Sequence, residues 1–291
     1  MEKTLQERAI EAAELIVRIS GQKSAPIEPL KIAARGADQL TVIGNDFKRQ
    51  FDGQLEFHRR KKQFLLFYND RYDVGARLPP GEHHVRTRFT ISHELGHFYL
   101  DRHNEYLRGG GRKHGSKGEF ATNNLVEKEA DSFAAGMLMP RFLMDSLVNE
   151  GELSLDRIDD LATTFKTSLV STALRAVSLS DFPCAVVALR RGVVSWVSRA
   201  DSLIKAGFYP PSRGGFTSPV ARKQWVAFSQ GEIERHTAPV YARHWFKTFD
   251  RTDLEGVSVT EHYMPVPVMD TLIVLLTIPE DELDRISNCD D

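Results

Sequence analysis

Residues 88–100 read Arg88-Phe89-Thr90-Ile91-Ser92-His93-Glu94-Leu95-Gly96-His97-Phe98-Tyr99-Leu100. The pattern predicts a helix from about Arg86 to Tyr99. Residues four apart on a helix differ by only about 40° of rotation, so His93 and His97 can bring two imidazoles to one ion. Glu94 sits about 100° round from His93. It can therefore reach a water held on that ion, rather than the ion itself, and take its proton. Phe89, Gly96 and Leu100 share the inward side, which sets the site into a core. The competing reading is two core histidines with a solvated glutamate between them.

A catalytic zinc of this type needs a third protein ligand and one open position. A second helix, predicted over about 125–138 and ending before Pro140, carries Glu127-Lys128-Glu129-Ala130-Asp131 at its start. Ala130, Phe133, Ala134, Met137 and Leu138 define its buried face. Glu127 lies near the edge of that face, in line with Asp131, Ala134 and Leu138, and is the better ligand. Glu129 points about 110° from the face centre, toward solvent, and little is expected of it. Asp131, one turn beyond Glu127, can accept the free ring N–H of a zinc-bound histidine. An ordinary acidic start to a helix, favoured by the N-terminal dipole, stays open beside this reading.

Together, RFTISHELGHFYL and EKEADSFAAGMLMP resemble the ImmA/IrrE family of metallopeptidases, which are zincin-like with a Glu as third ligand. The resemblance runs from Gln54 to about Arg175. It implies that His93, His97 and Glu127 bind one zinc ion, that Glu94 is the general base for attack of zinc-bound water, and that the fold is α+β. Members of the family are intracellular proteases that cleave, or help remove, a helix-turn-helix repressor and so release genes of a stress response or a mobile element. The length is closer to the longer, stress-response kind of member, whose second unit is GAF-like. The organisation expected is a metallopeptidase domain over residues 1–150, a helical linker resembling a helix-turn-helix over 151–180, and a β-rich, GAF-like sensory or structural domain over 181–291.

The reaction also needs a donor for the oxyanion that forms on the peptide carbonyl. Residues 101–124 hold five glycines and no continuous apolar face. They are expected as an exposed, mobile flap hinged at Gly109 to Gly111 that closes over substrate. Its candidate catalytic groups are His103 and His114, with Tyr106 beside them, and Arg102 and Arg108 are candidates for holding a substrate carboxylate. The strand Phe64 to Tyr68 follows a basic hairpin turn, Arg59 to Lys62. It is the candidate sheet edge onto which an extended substrate adds a strand.

Further helices are expected at about 4–18, 28–36, 140–149, 154–164 and 168–177. Strands are expected at Pro183 to Leu189, Val193 to Val197, Trp225 to Phe228, Val257 to Val259 and Thr271 to Ile278. The pair of helices around Thr167 and Ser168 looks like a helix-turn-helix, but its second helix carries a single base, Arg175. That is too few groups to read base edges, so direct DNA binding is not expected. Lys and Arg number 38 against 40 Asp and Glu, which excludes a generally basic nucleic-acid surface. No apolar run approaches a membrane span and no secretory pattern opens the chain, so a soluble cytoplasmic protein is expected. Cys184 and Cys289 are too far apart in sequence to form a metal motif, which leaves His and carboxylate. Two function classes follow: a zinc endopeptidase cutting a helix-turn-helix repressor, and a zinc-containing regulator that displaces the repressor without cutting it. Glu94 favours the enzyme, because only hydrolysis needs a base.

Overall fold

A computed structural model of the 291-residue chain describes residues 3–111, 114–116 (backbone), 124–215 and 217–282. The chain divides into two compact units, one of residues 1–143 with 162–168, the other of 144–161 with 169–291.

The first unit opens with α1 (Leu5–Ser20). Thr4 and Glu7 form a reciprocal capping box at its start, and Gly21, in the left-handed region at φ 79°, ends it. The short helix α2 (Pro29–Ala33) leads to β1 (Leu40–Asn45), β2 (Gly53–His58) and β3 (Gln63–Asn69). After α3 (Arg71–Ala76) come α4 (Val85–Tyr99), α5 (Asp101–Arg108), β4 (His114–Ser116) and α6 (Leu125–Leu138). The sheet order is β1-β3-β2-β4, with β1 parallel to β3 and the other pairs antiparallel. In register, Leu55 pairs with Leu66 and Phe57 with Phe64, so Leu55, Phe64 and Leu66 bury one face of the sheet in the same core as Ile91 and Leu95 of α4.

α4 is buried nearly all round, from Thr90 to Phe98 without a break. A surface helix shows one apolar stripe; burial on every side marks a helix at the centre of its unit. Two glycines bring its neighbours close. A Cβ on Gly96 would stand 3.2 Å from the Cα of Ala130 and from the Cβ of Phe133, so the bare glycine lets α6 cross near. On the far side of α6, a Cβ on Gly136 would stand 2.9 Å from the carbonyl oxygen of Ile10 in α1. α6 is thus packed from two sides, by α1 and α4.

Two expectations for this unit are corrected. Residues 101–108 form a helix, α5, anchored by the buried His103 and Leu107, so this part of the expected flap is a docked helix; residues 112, 113 and 117–123 lie outside the described residues. β3 is an interior strand between β1 and β2, so Phe64 to Tyr68 is no edge for a substrate. β1, a short run of Leu, Thr, Val and Ile, was not foreseen.

The helices α7 (Arg141–Val148), α8 (Leu155–Phe165) and α9 (Leu169–Leu179) follow. Within the stretch 151–180, residues 162–168 fall in the first unit and the remainder in the second. α9 is buried over most of its surface, Arg175 included.

The second unit continues with β5 (Cys184–Arg190), β6 (Val193–Arg199), α10 (Asp201–Lys205), α11 (Pro219–Ser229), β7 (His236–Tyr241), β8 (Ser258–Val266) and β9 (Thr271–Thr277). Its five strands form one antiparallel sheet in the order β6-β5-β9-β8-β7. β5 and β9 are its apolar centre, as their unbroken runs of aliphatic residues require. Trp225 to Phe228, expected as a strand, lies in α11, where Ser218 caps the N-terminus and Pro219 starts the helix. Cys184 is buried at the head of β5, and Cys289 lies outside the described residues.

Candidate metal centre

The three candidate ligands come from two crossing helices, His93 and His97 from α4 and Glu127 from the first turn of α6. Asn124 starts that turn by accepting from the amide of Val126. His93, His97 and Glu127 are all buried and form the one group of its kind among the described residues whose ligand atoms could share an ion. The Nε2 atoms of His93 and His97 are 3.2 Å apart. Oε2 of Glu127 is 3.4 Å from His93 Nε2, and Oε1 is 3.5 Å from His97 Nε2. Zinc with bonds of about 2.0–2.1 Å in a tetrahedral arrangement separates its ligand atoms by about 3.3 Å. The closest approaches, which Glu127 makes through one oxygen to each ring, are near this separation, and one ligand atom from each residue lies within 4.8 Å of the other two, so these residues fit the ion.

The charges point the same way. Burial works against a charged His93 ring, but hydrogen bonds to Asp131 and Glu127, with Glu94 nearby, outweigh it and raise its pKa to about 10. A proton on His93 thus offsets part of the carboxylate charge gathered here, and a bound cation would take over that task. His93 Nδ1 lies 2.9 Å from Asp131 Oδ1, the contact expected for Asp131.

Glu94 is buried next to His93 and faces Gly53 of β2. A Cβ on Gly53 would lie 2.6 Å from Glu94 Oε1 and 2.5 Å from Thr90 Cγ2, so only glycine leaves the carboxylate where it is.

His103 was a candidate oxyanion donor on a loop. It is instead buried in α5, with Nδ1 3.0 Å from His97 Nδ1 and Nε2 3.2 Å from Glu129 Oε2. Both ring nitrogens are engaged within the protein, by His97 and Glu129, rather than presented from a loop. Burial and the neighbouring His97 lower the His103 pKa to about 4, against the pull of Glu129. Glu129, expected in solvent, is 6% exposed, and Arg102 stands 3.5 Å from its other oxygen. α6 has more than one buried side, and Glu129 is covered by His103 and Arg102 of α5. The signal that could have found Glu129 was a further histidine, six residues after His97. Arg108 is not free for a substrate carboxylate: it donates to Asn104 and Gln39 and lies over the rings of Phe57 and Phe64. Tyr106 is exposed on α5. The backbone of His114 pairs with Leu55 in the sheet, and its side chain lies outside the described residues.

Arg88, from the start of the decisive stretch, is a buried strut. Its Nε donates to the carbonyl of Lys166, Nη1 to both oxygens of Glu28 and Nη2 to the carbonyl of Ile27.

Residues 77–177 match the family model described as Peptidase_M78, the IrrE N-terminal-like domain. The match spans His93, His97, Glu127 and the two helices that carry them, and bears out the resemblance drawn from their motifs. Among curated proteins no sequence matches the chain. In structure, a Mycobacterium tuberculosis transcriptional regulator is similar with a TM-score of 0.57 over 96% of this chain and 77% of its own, at 15% identity, a likeness of fold. Residues 77–177 are thus similar to the IrrE N-terminal-like domain, and the fold is mixed helix and sheet. Among the described residues no helix is long and apolar enough to cross a membrane.

Proposed function

We propose that this protein is a zinc-dependent endopeptidase that hydrolyses a peptide bond in a regulatory protein, specifically a repressor with a helix-turn-helix domain. The observation that carries the reading is the buried group of two imidazole nitrogens 3.2 Å apart and a carboxylate whose two oxygens approach them to 3.4 and 3.5 Å, next to the buried carboxylate of Glu94. His93, His97 and Glu127 would hold one zinc ion. When bound, that ion supplies a Lewis acid that acidifies water and polarises the peptide carbonyl.

The chain's own residues supply the rest. Glu94 takes the proton of the attacking water and returns it to the departing amine, as a buried carboxylate beside the reacting centre is able to do. Gly53 keeps the space that this carboxylate occupies. Asp131 fixes the ring of His93 so that Nε2 carries the lone pair. The target class comes from the family likeness, and a cytoplasmic location goes with such a target. The second unit, an antiparallel sheet, is read as the GAF-like sensory or structural part.

A second reading, a zinc-containing regulator that controls the repressor without cutting it, draws on the structural likeness to a protein called a transcriptional regulator. One experiment separates the two. Purified protein is incubated with candidate repressors, with and without zinc, and fragments are read by mass. Zinc-dependent cutting that Glu94→Gln abolishes supports the endopeptidase. A repressor released from DNA but cut by neither protein supports the regulator.

A further inference from the structure

The two histidines of the candidate metal centre differ in what stands behind them. His93 Nδ1 meets a carboxylate directly, Asp131 at 2.9 Å. His97 Nδ1 meets another imidazole, His103 at 3.0 Å, and only then a carboxylate, Glu129, 3.2 Å from His103 Nε2. All three members of this second line are buried.

We infer that His103 and Glu129 are positioning residues for His97, a buried hydrogen-bonded chain that fixes the tautomer and ring orientation in which His97 offers Nε2 to the metal. The inference rests on the metal reading above and deepens it. Proton positions leave one polarity. For Nε2 of His97 to present a lone pair, its proton must sit on Nδ1, which then donates to His103 Nδ1. His103 Nδ1 must accept, so the His103 proton sits on Nε2 and donates to Glu129. The opposite polarity would aim a bare nitrogen at a buried carboxylate and put the His97 proton on the nitrogen needed by the metal. The chain thus begins at the ligand and ends on a charge, as the direct His93–Asp131 contact does with one link fewer. Partners of this kind strengthen the ligand and hold its ring, and removing one costs about 10–100-fold in metal affinity.

The test measures zinc affinity by competition with a chromophoric chelator in the full-length protein and in His103→Phe, Glu129→Ala and the double variant, with Glu105→Ala, an exposed position of the same helix, as a surface control. Each single variant is expected to bind zinc roughly 10–100-fold more weakly. The double variant should be no weaker than the worse single one, because the two residues act in series. Single variants that fold and bind within about twofold of the wild type would overturn the chain, as would two additive losses. Should a variant fail to fold, nitrogen-15 NMR of the zinc-loaded wild type decides. His97 is expected with its proton on Nδ1 and His103 with its proton on Nε2; a His103 protonated on Nδ1 overturns the inference. A wild-type protein that takes up no zinc would instead defeat the metal reading itself, a different and recognisable outcome.

Discussion

Replacing Arg88 by Met is expected to loosen the helix that carries both histidines. Arg88 is 2% exposed, and its guanidinium makes contacts of 3.2 Å to the Lys166 carbonyl, 3.1 and 3.2 Å to the Glu28 carboxylate and 2.5 Å to the Ile27 carbonyl. Methionine fills much of the same volume and removes every donor. Breaking a buried ion pair by deleting one partner costs about 3–5 kcal/mol. The Glu28 side chain is 31% exposed and can turn partly to water, so about 2–3 kcal/mol is the better figure. Hydrogen exchange of the amides in α4 reads this locally, and the loss corresponds to exchange faster by roughly 30- to 150-fold. Glu28→Gln should cost less than Arg88→Met, and the double variant less than the sum of the two, because both remove one pair. An acceleration below about fivefold in Arg88→Met would refute the strut, since that is what a surface arginine gives.

Three further outcomes follow from the geometry. In Gly53→Ala the new Cβ pushes on Glu94 Oε1 from 2.6 Å, so repressor cleavage should fall by roughly 100-fold while zinc content is unchanged; zinc lost together with activity would contradict this. Asp131→Ala should weaken zinc binding by about 10–100-fold in the chelator assay, and an unchanged affinity would leave the His93 contact without a role. Burial pushes the Cys184 thiol up to about 12, above its unfolded value near 8.5, so its contribution to stability is complete below about pH 8.5 and is lost as pH rises toward 12. Trp196, Trp225 and Trp245 lie in the same unit, so urea unfolding followed by tryptophan fluorescence should show the stability gap between wild type and Cys184→Ala narrowing by up to roughly 1.4 kcal/mol per pH unit over that window; a constant gap would contradict it.

The pairing of His93 and His97 was readable in the sequence because helical spacing is rigid: four residues return a side chain to nearly the same azimuth, whereas Glu127, on a separate helix, was reached through the facing of α6 and the family resemblance. α4 and α6 were readable for the same reason. What escaped the sequence depended on neighbours. α5 buries His103 and Leu107, and a buried histidine gives no apolar stripe to detect. Glu129 falls outside the single face that the apolar residues of α6 define, and it is buried by His103 and Arg102 of α5, a packing that local periodicity does not record. Trp225 to Phe228 read as a strand because a short apolar run carries too little periodicity, whereas Ser218 and Pro219 were the helix-start signal that decides it. The interior place of β3 came from its parallel pairing with β1, a partnership between distant segments that no local pattern records.

The most direct measurement is zinc analysis with X-ray absorption at the zinc edge, on protein purified without added metal, beside Glu127→Ala. The account predicts about one zinc per wild-type chain, with only nitrogen and oxygen neighbours at about 2.0–2.1 Å, two of them imidazole, and a markedly lower zinc content in the variant. A sulfur neighbour near 2.3 Å, or zinc retained undiminished without Glu127, would contradict it.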